Sequence, residues 1–281
     1  MTFFIGLFLL FAGIEDSTST EPTPVSRTFR STQIINQRSV DQLYEKTLEF
    51  RMGHRFGDSY TGLKDLFGID LGASVYFGLD YAISDDFMGG FSRLGGAGAL
   101  KTYEIHTQYK LISQKVEDGS PVTLSLYGEA DFATAKGQEQ THLMLMPLIA
   151  RKWSKEISTQ ISPFYIQRLE NKDSYNGAQP IYGANLALNY VITKKVGLIL
   201  EWSPVFNRDD MNGNSLVKYK YNSISAGVNL EISGHTFQLV ASNTQHISTI
   251  GSLLGTNADY TGRHFYLGFN ITRLYSFESQ Y

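Results

Sequence analysis

The stretch "LGASVYFGLDYAISDDFMGGFSR" (71–93) alternates with a period of two. Leu71, Ala73, Val75, Phe77, Leu79 and Tyr81 share one face, and Gly72, Ser74, Tyr76, Gly78 and Asp80 share the other. Successive side chains of a strand point to opposite sheet faces, so this is strand periodicity. The pattern recurs from about residue 46 onward. In 47–56, Leu48, Phe50, Met52 and Phe56 oppose Glu49, Arg51, Gly53 and Arg55. In 103–111, Tyr103, Ile105, Tyr109 and Leu111 oppose Glu104, His106, Gln108 and Lys110; in 122–132, Leu124, Leu126 and Phe132 oppose Ser125, Tyr127, Glu129 and Asp131. Stretches 182–190, 224–232 and 265–277 repeat it. About twelve such segments are expected, several about ten residues long, which is the length a tilted membrane-crossing strand needs and more than a soluble strand usually has.

The links between segments alternate in length. Short links fall near 84–86, 113–120, 154–156, 193–195 and 233–234, and long ones near 58–70, 93–101, 133–141, 170–180, 207–220 and 243–262. In an up-and-down barrel this places all short turns at one end and all long loops at the other, as in bacterial outer-membrane barrels. The expected fold is all-β, an antiparallel up-and-down transmembrane β-barrel of about 12 strands spanning 46–281, with its apolar face on lipid and its polar face on a lumen. Only closure satisfies every backbone group of a sheet in hydrocarbon. Pro147, Pro163 and Pro204 fall inside expected strands, and since proline cannot donate to a ladder, bulges are expected there. Tyr81, Phe87, Trp153 and Tyr190 near short turns, Trp202 towards the other end, and Tyr275 and Phe277 fit interfacial girdles.

No internal apolar run reaches the length of a spanning helix. The chain has no cysteine, which excludes disulfides, Cys-ligated zinc, cysteine nucleophiles and an N-terminal lipid on Cys. A net charge of -3 gives no basic footprint for nucleic acid. Residues 1–14 read as a signal peptide, because the apolar run from Phe3 to Gly13 is too short to span, although the usual positive start is missing. Residues 15–45 read as a Ser-, Thr- and Pro-rich linker followed by an N-terminal strap at the periplasmic rim; a partial plug inside the barrel is the alternative.

Four stretches, "FRSTQIINQRSV" (29–40), "FRMGHRFGD" (50–58), "FGLDYAISDDFMGGFSR" (77–93) and "KTYEIHTQYKLI" (101–112), resemble the membrane-bound β-barrel proteins of unknown function found in Bacteroidota. The resemblance covers most of the chain after the linker. It implies an exported outer-membrane barrel and no particular activity.

The candidate lumen-facing polar residues are Glu49, Arg51, Arg55, Asp80, Glu104, His106, Lys110, Glu129, Asp131, Glu201 and Glu231. Mixed charges of this kind either line a water-filled pore and act on small polar solutes or ions, or pair across the interior and fill it. No cofactor and no metal site is expected: of six histidines only His106 has a close acidic companion, Glu104, on its face, and two ligands do not make a site. "RDDMNGNS" (208–215) lacks the first and twelfth ligands of an EF-hand. His246 and Ser248 lie close together in a long loop, with Asp259 beyond, but no triad is fixed. The expected function is a passive pore or binding channel for small polar solutes in the bacterial outer membrane, with membrane lipid around it. The alternatives are an outer-membrane lipid hydrolase, or a closed structural or adhesive barrel.

Overall fold

The computed structural model describes residues 25, 27–96, 101–116, 119–134, 140–169, 179–208, 219–232 and 234–277. Twelve strands follow one another: β1 (Thr47–Asp58), β2 (Ser74–Ser84), β3 (Phe87–Gly96), β4 (Lys101–Ile112), β5 (Thr123–Thr134), β6 (Gln140–Lys152), β7 (Ile157–Arg168), β8 (Ile181–Val191), β9 (Val196–Ser203), β10 (Ser223–Ile232), β11 (His235–Ser242) and β12 (Tyr266–Ser276). Each pairs antiparallel with its neighbours, and β1 pairs with both β2 and β12, so the sheet closes without a free edge. A 3-10 segment (Ser59–Gly68) follows β1, and one short helix, α1 (Thr249–Leu254), lies between β11 and β12.

The expected faces hold. Phe77, Leu79, Leu126, Leu186, Leu188, Leu198 and Leu200 are exposed on the outside, while Ser74, Asp80, Ser125, Asn185, Asn189 and Asn229 are buried inside. Aromatic pairs ring both ends of the outer face. Phe87 lies beside Tyr109 (ring centroids 6.4 Å apart) near the short turns, and Phe91 beside Tyr103 (6.3 Å), with Tyr165 opposite Tyr182, towards the other end.

Four expectations need correction, three of them in the strands and their links. The links 97–100 and 135–139 are short rather than long, because β3, β5 and β6 continue into stretches that were expected to be loops. Pro204 lies just beyond β9. Pro147 and Pro163 make no bulge. The register of β6 on β7 is unchanged from Leu145 opposite Tyr165 to Ile149 opposite Ile161, which sets the two prolines opposite one another with the ladder interrupted between. Pro147 stays in the β5 ladder and Pro163 in the β8 ladder. Their missing N–H groups therefore face each other, and two defects fall in a single gap instead of in two ladders.

The largest correction concerns the N-terminal segment. Residues 28–40 are buried inside the barrel rather than lying across its rim as a strap. They form a tight hairpin: Gln33 bridges Arg38, the Ile34 N–H donates to the Gln37 carbonyl (2.8 Å), and the Ser39 N–H to the Thr32 carbonyl (2.9 Å). The base of the hairpin sits at the short-turn end, which is the periplasmic end in this topology. There the Asp41 carboxylate accepts the N–H groups of Thr28 (2.9 Å) and Phe29 (2.5 Å). Burial pushes the Asp41 carboxyl up to about 6, against the effect of these donors and of nearby Arg27 and Lys152. From the opposite end α1 folds inward, burying Ile250 and Leu253, and meets the hairpin where Gln37 Nε2 donates to the Thr249 carbonyl (3.2 Å) and to Ser252 Oγ (2.5 Å).

The interior is two-sided. Phe29, Ile34, Ile35 and Val40 of the hairpin, with Ile250 and Leu253 of α1, pack on Met144, Met146, Leu148, Phe164, Ile166 and Ile199. That explains why "HLMLMPLIA" (142–150) is apolar on both faces: its outer face meets lipid and its inner face meets the filling. The remaining wall, β1 to β5, is charged.

Candidate functional site

Strand register gathers the charged side chains of that wall into two adjacent rows. The first runs Glu49, Asp80, Gly90, His106, Glu129 across β1 to β5. The second runs Arg51, Gly78, Ser92, Glu104, Asp131, His142, Arg168 across β1 to β7. The glycines are part of the arrangement. A Cβ on Gly90 would lie 2.4 Å from His106 Nε2 and 2.6 Å from Asp80 Oδ1, so only glycine lets those two groups meet across β3.

Arg38 of the hairpin reaches into the first row. Its Nη1 lies 2.9 Å from Asp80 Oδ1, its Nη2 touches His106 Nε2, and its guanidinium stands 5.3 Å from the centre of the Tyr127 ring. His106 Nε2 is itself 2.6 Å from Asp80 Oδ1. The other Asp80 oxygen is 3.1 Å from Arg51 Nη2, and Arg51 lies 5.4 Å from the Tyr76 ring centre. Glu104 accepts from Ser92 and from the Tyr76 hydroxyl (3.1 Å), Glu129 from the Tyr127 hydroxyl, and Glu49 from Thr32 of the hairpin. Glu104 Oε1 and Glu129 Oε1 are buried with no hydrogen-bond partner. Asp131 holds His142 Nδ1 (2.6 Å) and its backbone N–H (3.0 Å).

A second anchor holds the hairpin tip. Glu201 accepts from the consecutive backbone N–H groups of Ile35 (2.7 Å), Asn36 (3.0 Å) and Gln37 (3.0 Å), an anion cradled by a nest of main-chain donors. Arg55 bridges Asn36 Oδ1 (2.9 Å) and Asn270 Oδ1 (2.9 Å). Along the hairpin, Gln160 and Gln108 donate to the carbonyls of Arg38 (2.8 Å) and Ser39 (3.0 Å), as wall side chains pairing main-chain groups that no ladder satisfies.

Of the eleven expected lumen residues, Glu49, Arg51, Arg55, Asp80, Glu104, His106, Glu129, Asp131 and Glu201 are buried in the interior. Lys110 and Glu231 share that face but lie at the periplasmic rim. Lys110 pairs there with Asp86 (2.9 Å) in the β2–β3 turn, and Glu231 with Arg30 (2.7 Å). Ser248 is buried and His246 half-buried at the start of the inward fold of α1, and burial lowers the His246 imidazole below its ordinary value. No group of three or more metal-ligating side chains occurs among the described residues. The stretch 208–215 lies outside them except for Arg208. Sequence reasoning missed Arg38, Tyr76 and Tyr127. Arg38 stands in a segment without strand periodicity, and the two tyrosines lie on the polar face but are uncharged, so a choice of charged lumen residues passes over them. Their position on the polar face was the available signal.

A closed twelve-stranded antiparallel barrel with an apolar belt outside and a charged, internally plugged lumen defines a transmembrane β-barrel. Residues 29–275 match the family described as membrane bound beta barrel domain (DUF5777), and the chain belongs to it. It is a barrel of the bacterial outer membrane. No curated protein matches the chain. Among solved structures it is similar to the KdgM porin in complex with disordered oligogalacturonate (7% identity, 83% of this chain and 99% of that one, TM-score 0.49). It is also similar to the NanC porin (9%, 81% and 99%, 0.49) and to the outer membrane phospholipase A from Escherichia coli (10%, 85% and 95%, 0.43). Likeness of this degree says nothing about a substrate.

Proposed function

We propose that the protein is an outer-membrane channel for small polar solutes that its own N-terminal hairpin keeps closed, and that conducts when the hairpin withdraws. The observation that supports this is the charged half of the hairpin's seat. Arg38, Asp80 and Arg51 are wholly buried, and the tip hangs by its backbone on one carboxylate. Burying ion pairs costs desolvation that apolar packing of equal volume avoids, so charge is a poor way to make a permanent seal. A charged seat, once vacated, is a wall that water and polar solutes wet readily. Twelve strands also lie between the filled eight-stranded barrels and the open sixteen-stranded porins, so the filling decides whether the lumen passes anything.

The test is single-channel recording of the refolded full chain in a planar bilayer. The wild type is expected to be closed for most of the record, with rare salt-dependent steps. Arg38→Ala combined with Glu201→Gln should raise the open fraction at least tenfold at the same step size. Insertion without any steps in either protein overturns the channel reading and leaves a closed structural barrel.

A further inference from the structure

The place filled by Arg38 has the chemistry of a ligand site. The wall supplies Asp80 on one side, the face of Tyr127 on another and His106 beside it, and Gly90 leaves the floor clear. Glu104 and Glu129 stand within electrostatic reach of the guanidinium. Each keeps one buried oxygen unpartnered, so the wall offers more acceptors than Arg38 uses. Arg38 in turn leaves its Nε unpaired. A fixed structural ion pair would be expected to match donors to acceptors; here both partners have capacity left over. The occupant is also not part of the wall. It comes from a separate segment, the hairpin over 28–40, so what it fills is a site of the barrel. A cavity of about 280 Å³ at the periplasmic mouth, lined by Thr32 and Glu49 among others, reaches the residue next to Asp80 in the first charged row.

We propose that this part of the wall is a binding site for a small solute carrying a guanidinium or a primary amine, and that Arg38 is its built-in competitor. A planar guanidinium suits it best, because it can face an aromatic ring and donate from its edge to carboxylates at the same time. Binding of such a solute and seating of the hairpin exclude one another, so the solute biases the barrel towards the withdrawn hairpin. The binding site stands by itself; the consequence for opening rests on the channel reading above.

Ethylguanidinium is the probe, with urea as its neutral, planar counterpart. Binding is measured by titration calorimetry on the full chain in lipid nanodiscs, and folding of each variant is checked by its heat-modifiable gel mobility. Arg38→Ala is expected to bind ethylguanidinium saturably and at least tenfold more tightly than wild type, with no response to urea. Arg38→Lys, which keeps a cation in place, should fall between them, and it serves as the test protein if Arg38→Ala does not fold. Adding Asp80→Asn to either variant should abolish binding. A folded Arg38 variant that binds no ethylguanidinium, or that responds equally to urea, overturns the site. The conductance recordings keep the two proposals apart. Binding without conductance keeps the site and removes the channel, whereas conductance in the variant without binding removes the site and keeps the channel.

Discussion

The carboxylate of Glu201 accepts the N–H groups of Ile35, Asn36 and Gln37, and these donors have no other place to go at the tip of a tight turn. Glu201→Leu would leave them buried and unpaired, at about 1–3 kcal/mol for each group left unsatisfied, whereas Glu201→Gln keeps one acceptor oxygen. Limited proteolysis within 28–40 should therefore become faster in the order wild type, Glu201→Gln, Glu201→Leu. Equal rates would mean that the tip is held by something else. On the outer face, Leu186 lies mid-strand in β8 and points at lipid. Leu186→Arg should cost about 2–4 kcal/mol in urea-dependent folding into bilayers, while Leu186→Phe should be nearly neutral. The neighbouring Asn185 is not a tolerant control, despite facing the lumen. It is wholly buried and donates to Ser203 Oγ (2.9 Å), so an arginine there would have to displace the filling.

Among the elements, β6 and β7 form the weak seam of the wall. Pro147 and Pro163 face each other with no N–H between them, and the ladder lapses over 146–148 and 162–164. Pro163→Ala returns one donor opposite the Pro147 carbonyl and should stabilise the barrel by about 0.5–1.5 kcal/mol. The double variant should gain more than the sum of the singles, because two mutually facing bonds then form in one pair. A double-mutant cycle on unfolding free energies measures this, and strict additivity would mean that the prolines are not coupled. The hairpin is the second element whose behaviour follows from its contacts. It touches α1 at its tip and the short-turn end at its base, so it can leave only towards the periplasm, and its tip must release Glu201, Ser225 and Ser252 on the way.

For the molecule as a whole, the absence of native cysteine makes the hairpin's motion open to a clean test. Asn36 Nδ2 lies 3.0 Å from Ser225 Oγ. Cysteines at positions 36 and 225, joined by a short cleavable dithiol-reactive linker, should hold the hairpin in place without a competing reaction elsewhere. Cross-linking is expected to abolish the conductance steps, and cleavage of the linker to restore them. Steps that persist after complete cross-linking would mean that conduction does not require withdrawal.

The sequence by itself determined the barrel. Alternation over segments long enough to cross a bilayer identifies about twelve strands and assigns each strand's inner and outer face, because side-chain direction in a strand depends only on residue parity; the expected alternation of link lengths holds only in part. All eleven candidate residues lie on the face that parity assigns, nine of them buried and two at the rim. Register does not follow from parity. The row Asp80, Gly90, His106 depends on how far each strand slides along its neighbour, and turns and closure fix this together, not the alternation. The filled lumen stood in the sequence only as the alternative to a strap at the rim, and nothing local decided between them. "FRSTQIINQRSV" (29–40) has neither strand nor helix periodicity, and its hydrogen bonds go to side chains up to 235 residues away, so only the closed barrel gives that segment a place to fold.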